Sequence, residues 1–245
     1  MENHYKQISS LIYDFTKPPG TSIDGDLAFY KSQLLPIEGK VLEAGVGNGR
    51  LYIPLLKYKV DIVGIDKSQE MINICQKNLE KENLLGKLIC QDLENYIELN
   101  TYEYIIVPNA SFNLLESRNK AIKVLKNFYQ SLKEKGTLII DLIMPIEFKA
   151  GSNHEFSHNI NGQKIVVKNL SKEINWIEQY TVNQIEYYIN EQLKESQEFK
   201  LSWYGCEEFC NILNSVGFND GVFIVNYGNK TNLNVKTITF IFKKY

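Results

Sequence analysis

One stretch of ten residues decides how this fold is interpreted: Val41-Leu42-Glu43-Ala44-Gly45-Val46-Gly47-Asn48-Gly49-Arg50. Its first four residues form a strand candidate, and the alternating glycines after them allow the chain to turn directly into a helix. Glycines at such a turn let a ligand approach the backbone without interference from a Cβ atom. The turn also directs the amide groups of the helix N-terminus toward that ligand. The stretch therefore predicts a strand, a ligand-binding turn and a helix.

The spacing of the glycines distinguishes two kinds of nucleoside site. A dinucleotide-binding fingerprint requires a third glycine at position 50, where this chain has Arg50. The spacing here is instead G-x-G-x-G over residues 45–49, with the acidic Glu43 two positions before the first glycine. The pattern therefore disfavours a nicotinamide-dependent oxidoreductase, which stays a lesser alternative. A tight turn without any ligand is the structural alternative.

Short apolar runs alternate with amphipathic segments after this stretch. Further strand candidates lie at 61–65, 87–90, 104–107 and 137–143. Helices are expected to begin near Ser68 and at Ser117, an N-cap candidate, and the second of them is expected to end at Gly136. Strands that are regularly separated by helices predict right-handed crossovers and a parallel sheet.

The pattern changes after position 150. Residues 153–203 show period-2 alternation, Asn161-Gly162 is a hairpin-turn signal, and a helix ending at Gly217 precedes two last strands. We expect an α/β fold: a Rossmann-like, doubly wound, seven-stranded and mostly parallel sheet, with an antiparallel β insert before the last helix and two strands. The expected parts are a helical arm at 1–36, a core at 37–150, the insert at 151–203 and a C-terminal part at 204–245 that completes the sheet.

The composition limits the class of partner. The 245 residues include 27 Lys+Arg and 29 Asp+Glu, for a formal net charge of −2, and only Arg50 and Arg118 are arginines. This balance disfavours nucleic acid as a partner, because phosphate recognition relies on positive charge and on bidentate arginines. No run reaches the roughly 20 apolar residues of a membrane helix, and the first ten residues lack the order of a signal peptide. We expect a cytoplasmic protein that acts on a small molecule, of undetermined oligomeric state.

Polar residues follow three further strand candidates. Asp66 ends the second strand, 21 residues after Gly45, where a carboxylate can accept hydrogen bonds from both ribose hydroxyls. Asp92 and Leu93 follow the third strand, where they can hold the edge and the face of an adenine. Residues 108–112 end the fourth strand, at the crevice where open α/β sheets bind ligands. Each feature alone also fits a helix cap or a loop, but together at successive strand ends they predict a nucleoside site.

Several of these segments resemble motifs of the class I S-adenosylmethionine-dependent methyltransferase superfamily. Residues 43–49 resemble its E/D-x-G-x-G-x-G motif, and residues 64–71 its G-x-D-x-S-x-x-M motif. Residues 133–138 resemble its L-K-P-G-G-x-L segment, with Lys135 and Thr137 in place of the proline and the second glycine. Residues 13–16 and Trp203-Tyr204 are similar to a bacterial small-molecule methyltransferase subgroup.

This resemblance implies an enzyme (EC 2.1.1.-) that transfers a methyl group in line from S-adenosyl-L-methionine to a small-molecule acceptor. It implies that the glycines and Pro108-Asn109 lie near the methionine part of the cofactor and that Glu43 faces its amino group. Tyr13, from the arm, would close over the sulfonium. The residues implied to bind the cofactor are Tyr13, Glu43, Gly45, Gly47, Gly49, Asp66, Lys67, Met71, Asp92, Leu93, Pro108 and Asn109.

The sequence contains no evident general base, so the catalytic residues stay unassigned. An amine that arrives neutral needs no base, whereas a hydroxyl or an acidic carbon does. A non-catalytic module that only binds the cofactor is therefore an alternative. His154 and His158 lie four apart in a strand or loop context, and no metal site is predicted from them. The insert's aromatic residues fit either a substrate cap or sheet packing: Trp176, Tyr180, Tyr187 and Tyr188.

Overall fold

The computed structural model describes residues 5–36, 38–229 and 234–245, and within these ranges eleven strands form two sheets. The strands are β1 (Lys40–Ala44), β2 (Asp61–Asp66), β3 (Lys87–Cys90), β4 (Tyr102–Val107), β5 (Leu132–Ile143), β6 (Asn153–Ile160), β7 (Gln163–Asn175), β8 (Tyr180–Ile189), β9 (Gln192–Ser202), β10 (Phe218–Val225) and β11 (Thr237–Lys244). The first four residues of the expected arm lie outside the described residues. Position 37 of the expected core and positions 230–233 of the expected C-terminal part do so too.

The larger sheet has the strand order β10-β11-β5-β4-β1-β2-β3. Strands β1 to β5 pair in parallel, whereas β11 pairs antiparallel with β5 and with β10. The prediction of a seven-stranded, mostly parallel sheet is therefore confirmed. Because β1 lies between β2 and β4, the order of the strands reverses at β1. The carboxyl ends of β1 and β4 thus border the crevice in which such sheets bind ligands.

Six α-helices are described in these ranges, and the long ones begin where the sequence places N-cap residues. They are α1 (Gln7–Thr16), α2 (Asp26–Leu34), α3 (Tyr52–Lys57), α4 (Gln69–Lys81), α5 (Arg118–Ser131) and α6 (Cys206–Val216). The hydroxyls of Ser68 and Ser117 accept hydrogen bonds from backbone amides in the first turns of α4 and α5. Helix α6 ends at Gly217, which has a φ of 117°. None of the described helices combines the length and apolarity needed to cross a bilayer.

Helices cover both faces of the larger sheet, as a doubly wound fold requires. Successive residues of β1 point to opposite faces: Val41 packs into one buried cluster and Leu42 into the other. The cluster around Val41 receives apolar side chains from α2, α3 and α4. The cluster around Leu42 receives them from α5 and α6. The two layers hold the carboxyl edge of the parallel strands in place.

The expected end of α5 at Gly136 is wrong, because the helix ends at Ser131 and β5 begins at the next residue. Strand β5 pairs Leu132 with Tyr102 and then Thr137 with Tyr104, so four residues bulge out between two paired positions. Lys135 in this bulge has a φ of 63°. The segment that resembles the L-K-P-G-G-x-L motif is therefore a bulge within the strand and not the last turn of the helix.

The second sheet is antiparallel, with the order β6-β7-β8-β9. The two-residue turn Asn161-Gly162 joins β6 to β7, with φ angles of 53° and 77°, as its sequence predicts. One face of this sheet carries Ile165 and Tyr187, and Ile12 of α1 packs against it. The insert sheet therefore holds the first helix of the arm.

Two polar clusters fix the arm to the glycine-rich turn of the core. Asn48 donates hydrogen bonds from its side chain to Asp14 Oδ1 and to the carbonyl of Lys17, at 2.8 and 2.9 Å. Arg50 forms an ion pair with Asp26 of α2, with 2.6 Å between Nη2 and Oδ2. The side chains of Arg50 and Asp26 are only 5% and 0% exposed. The residue that breaks the dinucleotide fingerprint is thus one half of a buried ion pair.

We expect the substitution Asp26→Ala to lower the free energy of unfolding by about 3–5 kcal/mol, because it leaves the Arg50 guanidinium buried without its counter-charge. Urea unfolding at pH 7 measures the change. Glu82→Ala is the matched control, because it removes an exposed ion pair with Lys57 and should cost less than about 1 kcal/mol. A loss for Asp26→Ala as small as that of the control would contradict this role.

Candidate functional site

The glycine-rich turn after β1 is held against the end of β2 by backbone hydrogen bonds. The amides of Gly45 and Val46 donate to the carbonyl of Ile65, at 2.8 and 3.0 Å. The carboxylate of Asp66 accepts from the amide of Gly47 at 3.0 Å and from the amide of Ser68 at 2.9 Å. Burial raises the pKa of Asp66, while these two amides and Lys67 oppose the shift. The carboxylate is therefore fixed in orientation at the carboxyl edge of the sheet.

The three glycines of the turn have different surroundings. All three have positive φ angles, of 81°, 54° and 86° at Gly45, Gly47 and Gly49. A Cβ atom at Gly45 would lie 2.6 Å from Ser111 Oγ, whereas at Gly47 it would meet no atom within 4 Å. At Gly49 it would lie 2.8 Å from Cys75 Sγ of α4. Gly49 thus serves the packing of α4 against the turn, and it lines neither cavity described below.

A cavity of about 370 Å³ opens along this edge of the sheet. Its volume is in the range that accommodates small ligands and cofactors. The structure brings together nine of the twelve predicted site residues in its walls: Tyr13, Gly45, Gly47, Asp66, Lys67, Met71, Asp92, Leu93 and Asn109. Residues from the ends of β1, β2, β3 and β4 therefore face one space, which we call the main cavity.

Glu43 and Pro108 line a second, smaller cavity of about 40 Å³. This cavity shares Tyr13, Gly45 and Asn109 with the main one. Glu43 is 2% exposed, and its Oε2 atom has no hydrogen-bond partner. Burial raises the pKa of Glu43 to about 8, although the nearby Arg50 guanidinium lowers it. The smaller cavity thus presents a buried carboxyl group that a cationic ligand group would satisfy.

Asn109 borders both cavities, and its backbone is held by Asp141, a residue that was not predicted from the sequence. Its φ is 57°, and its amide donates to Asp141 Oδ2 at 2.8 Å. Asp141 is fully buried in β5 and also accepts from Thr239 Oγ1 and Tyr227 OH, at 2.7 and 2.8 Å. Burial raises the pKa of Asp141 to about 6, opposed by these donors. The last strand of the sheet thereby supports the loop after β4.

One end of the main cavity is apolar and aromatic, and most of its residues were not predicted. Phe199 and Leu201 reach it from β9 of the insert, and Tyr5 reaches it from the arm. The Tyr5 ring contacts the rings of Tyr13 and Phe199 edge to face, with centroids 5.6 and 5.5 Å apart. The other unpredicted lining residues are Lys17, Ser68, Glu94, Ala110, Ser111, Leu114, Leu115, Glu116, Lys120 and Ile143.

The insert's predicted aromatic candidates lie away from both cavities. Tyr187 is buried in the insert sheet, and Trp176 is 65% exposed and contacts Trp203 edge to face. The rings of Tyr180 and Tyr188 lie under the ammonium groups of lysines 200 and 168. These four residues therefore belong to packing and surface contacts, and the insert reaches the main cavity through other residues.

Arg118 and His158, which the sequence analysis named without a role in the site, contact other side chains. Arg118 donates to Glu208 Oε1 and to the carbonyl of Trp203, at 2.9 and 2.7 Å. His158 of β6 contacts the Phe15 ring. Across residues 5–36, 38–229 and 234–245, no three His, Cys, Asp or Glu side chains converge as a metal site would need.

The fold and this edge site define a Rossmann-like α/β protein, and comparison with known proteins identifies a methyltransferase domain within it. Residues 41–136 match the family model of the methyltransferase domain. A curated relative, ubiquinone biosynthesis O-methyltransferase of Coxiella burnetii, is 28% identical over 115 residues, which cover 46% of this chain and 48% of that protein. The chain thus matches less than half the length of the curated relatives it resembles.

Two solved structures share the fold over nearly the whole chain. An S-adenosylmethionine-dependent methyltransferase from Clostridium acetobutylicum has a TM-score of 0.75 at 20% identity and covers 96% of this chain and 97% of its own. The sugar N-methyltransferase KedS8 from Streptoalloteichus has a TM-score of 0.77 at 14% identity and covers 100% and 95%. These structures confirm the predicted fold, and the match to the methyltransferase domain supports the predicted class I S-adenosylmethionine-dependent methyltransferase superfamily.

We expect Asp66→Ala to weaken the binding of S-adenosylhomocysteine by about 5- to 150-fold, or about 1–3 kcal/mol, because ribose hydroxyls would lose their buried acceptor. Isothermal titration calorimetry measures this affinity. Asp61→Ala is the matched control, because Asp61 is exposed at the opposite end of the same strand. An unchanged affinity of the Asp66 variant would remove this residue from the site.

The free energy of unfolding should depend on pH through Glu43. With a pKa of about 8 when folded and near 4.5 when unfolded, Glu43 holds more protons in the folded protein between these values. Its contribution to stability therefore falls as the pH rises from about 5 to 8. Glu43→Gln removes this dependence. Without ligand, we expect the variant to gain about 2–4 kcal/mol over the parent between pH 5 and pH 9, since a tenfold change in proton affinity corresponds to about 1.4 kcal/mol.

Urea unfolding at both pH values tests this expectation. Glu82→Gln, at an exposed position, is the control, and its difference from the parent should change by less than about 0.5 kcal/mol. If the Glu43 and Glu82 variants show the same pH dependence, the Glu43 carboxyl group is not the buried acid described above.

Proposed function

We propose that this protein transfers a methyl group from S-adenosylmethionine to an amine nitrogen of a small-molecule acceptor. One observation carries the proposal. The main cavity is lined both by Asp66 and Asp92 of the sheet edge and by the aromatic residues Tyr5, Tyr13 and Phe199. A cofactor on the edge and an acceptor against the aromatic residues would therefore share one space.

The residues that line the two cavities fit this cofactor. Asp66 would hold the ribose hydroxyls, and Asp92 with Leu93 would hold the adenine. The unpartnered Oε2 atom of Glu43 would face the ammonium group of the methionine part, next to Pro108 and Asn109. Gly47 leaves open space where a side chain would stand. Lys67 and Met71 would border the adenine, and both line the main cavity.

The cofactor supplies an electrophilic methyl group on a sulfonium, so that a carbon–nitrogen bond forms as the carbon–sulfur bond breaks and the positive charge passes from sulfur to nitrogen. The protein's part is to align the acceptor and to keep water out. The aromatic end suits both tasks, because Tyr5, Tyr13 and Phe199 all line the main cavity. Aromatic rings also stabilise a cationic nitrogen by cation–π interaction.

An amine is favoured over a hydroxyl because most titratable groups in the described cavity walls are already engaged or are weak bases; Lys17, whose pKa burial lowers, is the exception. No histidine is among the described lining residues, and burial raises the pKa of the Tyr5 and Tyr13 phenols. Glu94 and Glu116 both pair with Lys120, at 3.3 and 3.1 Å. A neutral amine needs no base to react, whereas a hydroxyl does.

The names of the similar proteins point to both acceptor atoms. KedS8, which shares the fold over the whole chain, is a sugar N-methyltransferase, whereas the Coxiella relative is an O-methyltransferase. The likeness to KedS8 includes the insert, and it is the insert that supplies Phe199 and Leu201 to the cavity. The coverage of the insert supports an amine as the acceptor group. A hydroxyl acceptor is the alternative that the experiment below tests.

The parts of the chain take distinct roles in this proposal. The arm at 1–36 covers the cofactor through Tyr13, and the core at 37–150 binds it. The insert at 151–203 caps the acceptor, while the C-terminal part at 204–245 completes the sheet beneath Asn109. We propose that the protein is cytoplasmic and that its acceptor is a small metabolite, with no nucleic acid partner.

A screen for release of S-adenosylhomocysteine tests the function. Matched acceptors that differ only in carrying an amine, a hydroxyl or a carboxylate are each supplied with S-adenosylmethionine. We expect turnover with amines, at a rate that rises with pH toward the pKa of the acceptor amine, because only its neutral form is nucleophilic.

Turnover with hydroxyl acceptors alone would contradict the amine. Binding of the cofactor without turnover across the panel would favour a binding module instead. Binding of NAD without binding of S-adenosylmethionine would overturn the methyltransferase proposal altogether.

A further inference from the structure

We infer that Glu195 of the insert is a positioning residue, which fixes the start of α1 so that Tyr5 and Tyr13 close the aromatic end of the main cavity. The inference rests on the proposed function for its consequence in catalysis. Its structural part stands on hydrogen bonds between two segments that are 186 or more residues apart in the chain.

The carboxylate of Glu195 accepts hydrogen bonds from two backbone amides at the start of α1, which have no partner within the helix. Its Oε2 accepts from the amide of Ile8 at 2.7 Å, and its Oε1 accepts from the amide of Ser9 at 3.1 Å. The Glu195 side chain is nearly buried, at 8% exposure. The first turn of α1 contains no acidic residue of its own. The insert therefore supplies both the acceptor and the negative charge that a helix N-terminus favours.

The same face of β9 carries both this contact and the wall of the cavity. Side chains alternate along a strand, so Glu195, Phe199 and Leu201 point to one side. Phe199 and Leu201 line the main cavity, and β9 pairs with β8 without a register shift from Glu195 to Ser202. The distance between the helix start and the cavity wall is therefore fixed by one continuous strand.

Helix α1 is tied at both ends, and Tyr5 lies just before its start. Beyond the middle of α1, Asp14 accepts hydrogen bonds from Asn48 and Asn78, both at 2.8 Å, which ties that end to the core. At the start of α1, Glu195 ties the helix to the insert, and the carbonyl of Tyr5 accepts from Ser68 Oγ at 3.2 Å. The Tyr5 ring contacts the Phe199 ring. Loss of the Glu195 contact should thus loosen the start of α1 and the Tyr5 ring, while Asp14 keeps the far end in place.

The substitution Glu195→Gln tests this role in the full chain. It keeps the size of the side chain but removes the charge and replaces one acceptor oxygen with an amide nitrogen. Glu198→Gln is the matched control, because Glu198 lies three residues further along β9, on the opposite face, and pairs with Lys172. We expect the amides of Ile8 and Ser9 to exchange hydrogen at least tenfold faster in the Glu195 variant and unchanged in the control.

The second readout separates positioning from a general loss of structure. We expect Glu195→Gln to raise the KM of the acceptor at least fivefold with a smaller change in kcat. The exchange of amides in the core strands, such as β4, should stay as in the parent. Parent-like exchange at Ile8 and Ser9 would overturn the inference. So would an acceptor KM that does not change in an active variant, or faster exchange throughout the chain.

The inference can be tested even if no acceptor is turned over. Neither the hydrogen-exchange readout nor the dissociation rate of S-adenosylhomocysteine requires activity. The dissociation rate should rise at least threefold when the start of the arm helix is released. In the parent, slow exchange of the Ile8 and Ser9 amides is expected, although first-turn amides of a helix normally lack a partner. Fast exchange there in the parent would overturn the inference without any variant.

Discussion

The site depends on one carboxylate, that of Asp66, which accepts the amides of Gly47 and Ser68. These two hydrogen bonds join the turn after β1 to the start of α4, across the end of β2. Because the carboxylate is held by backbone groups, its orientation toward the main cavity does not rely on a flexible partner. The strand ends on either side then bring Asp92 and Asn109 to the same edge. A hydrogen-bonded strand end thereby organises the site that we propose for the nucleoside.

The buried ionisable groups near the glycine-rich turn differ in whether the fold supplies their partners. Asp26 and Arg50 neutralise each other, since they form an ion pair within the fold. Glu43 is different, because its Oε2 atom is buried without a partner and its pKa is raised to about 8. An unsatisfied buried acceptor costs free energy unless a ligand completes it. Unsatisfied polar groups of this kind are expected where binding takes precedence over stability.

The sequence predicted which residues meet at this edge of the sheet, because the signals for them are local. The glycine spacing, Asp66 and Asp92 each follow a strand directly, and parallel strands bring their ends together. Tyr5, Phe199 and Glu195 could not be found this way, since their positions depend on how the arm docks on the insert. Alternation along β9 places Phe199 and Leu201 on one face of the strand. It does not show which face lies toward the cavity. The bulge at Lys135 was missed because its residues suit a helix end equally well.

A crystal structure of the complex with S-adenosylhomocysteine would show where the nucleoside lies. We expect the ribose hydroxyls within hydrogen-bond distance of the Asp66 carboxylate, the adenine beside Asp92 and Leu93, and the amino group facing Glu43. The sulfur should then point toward Tyr13 and the aromatic end of the cavity. A nucleoside bound elsewhere, or with its ribose away from Asp66, would show that Asp66 does not organise the site.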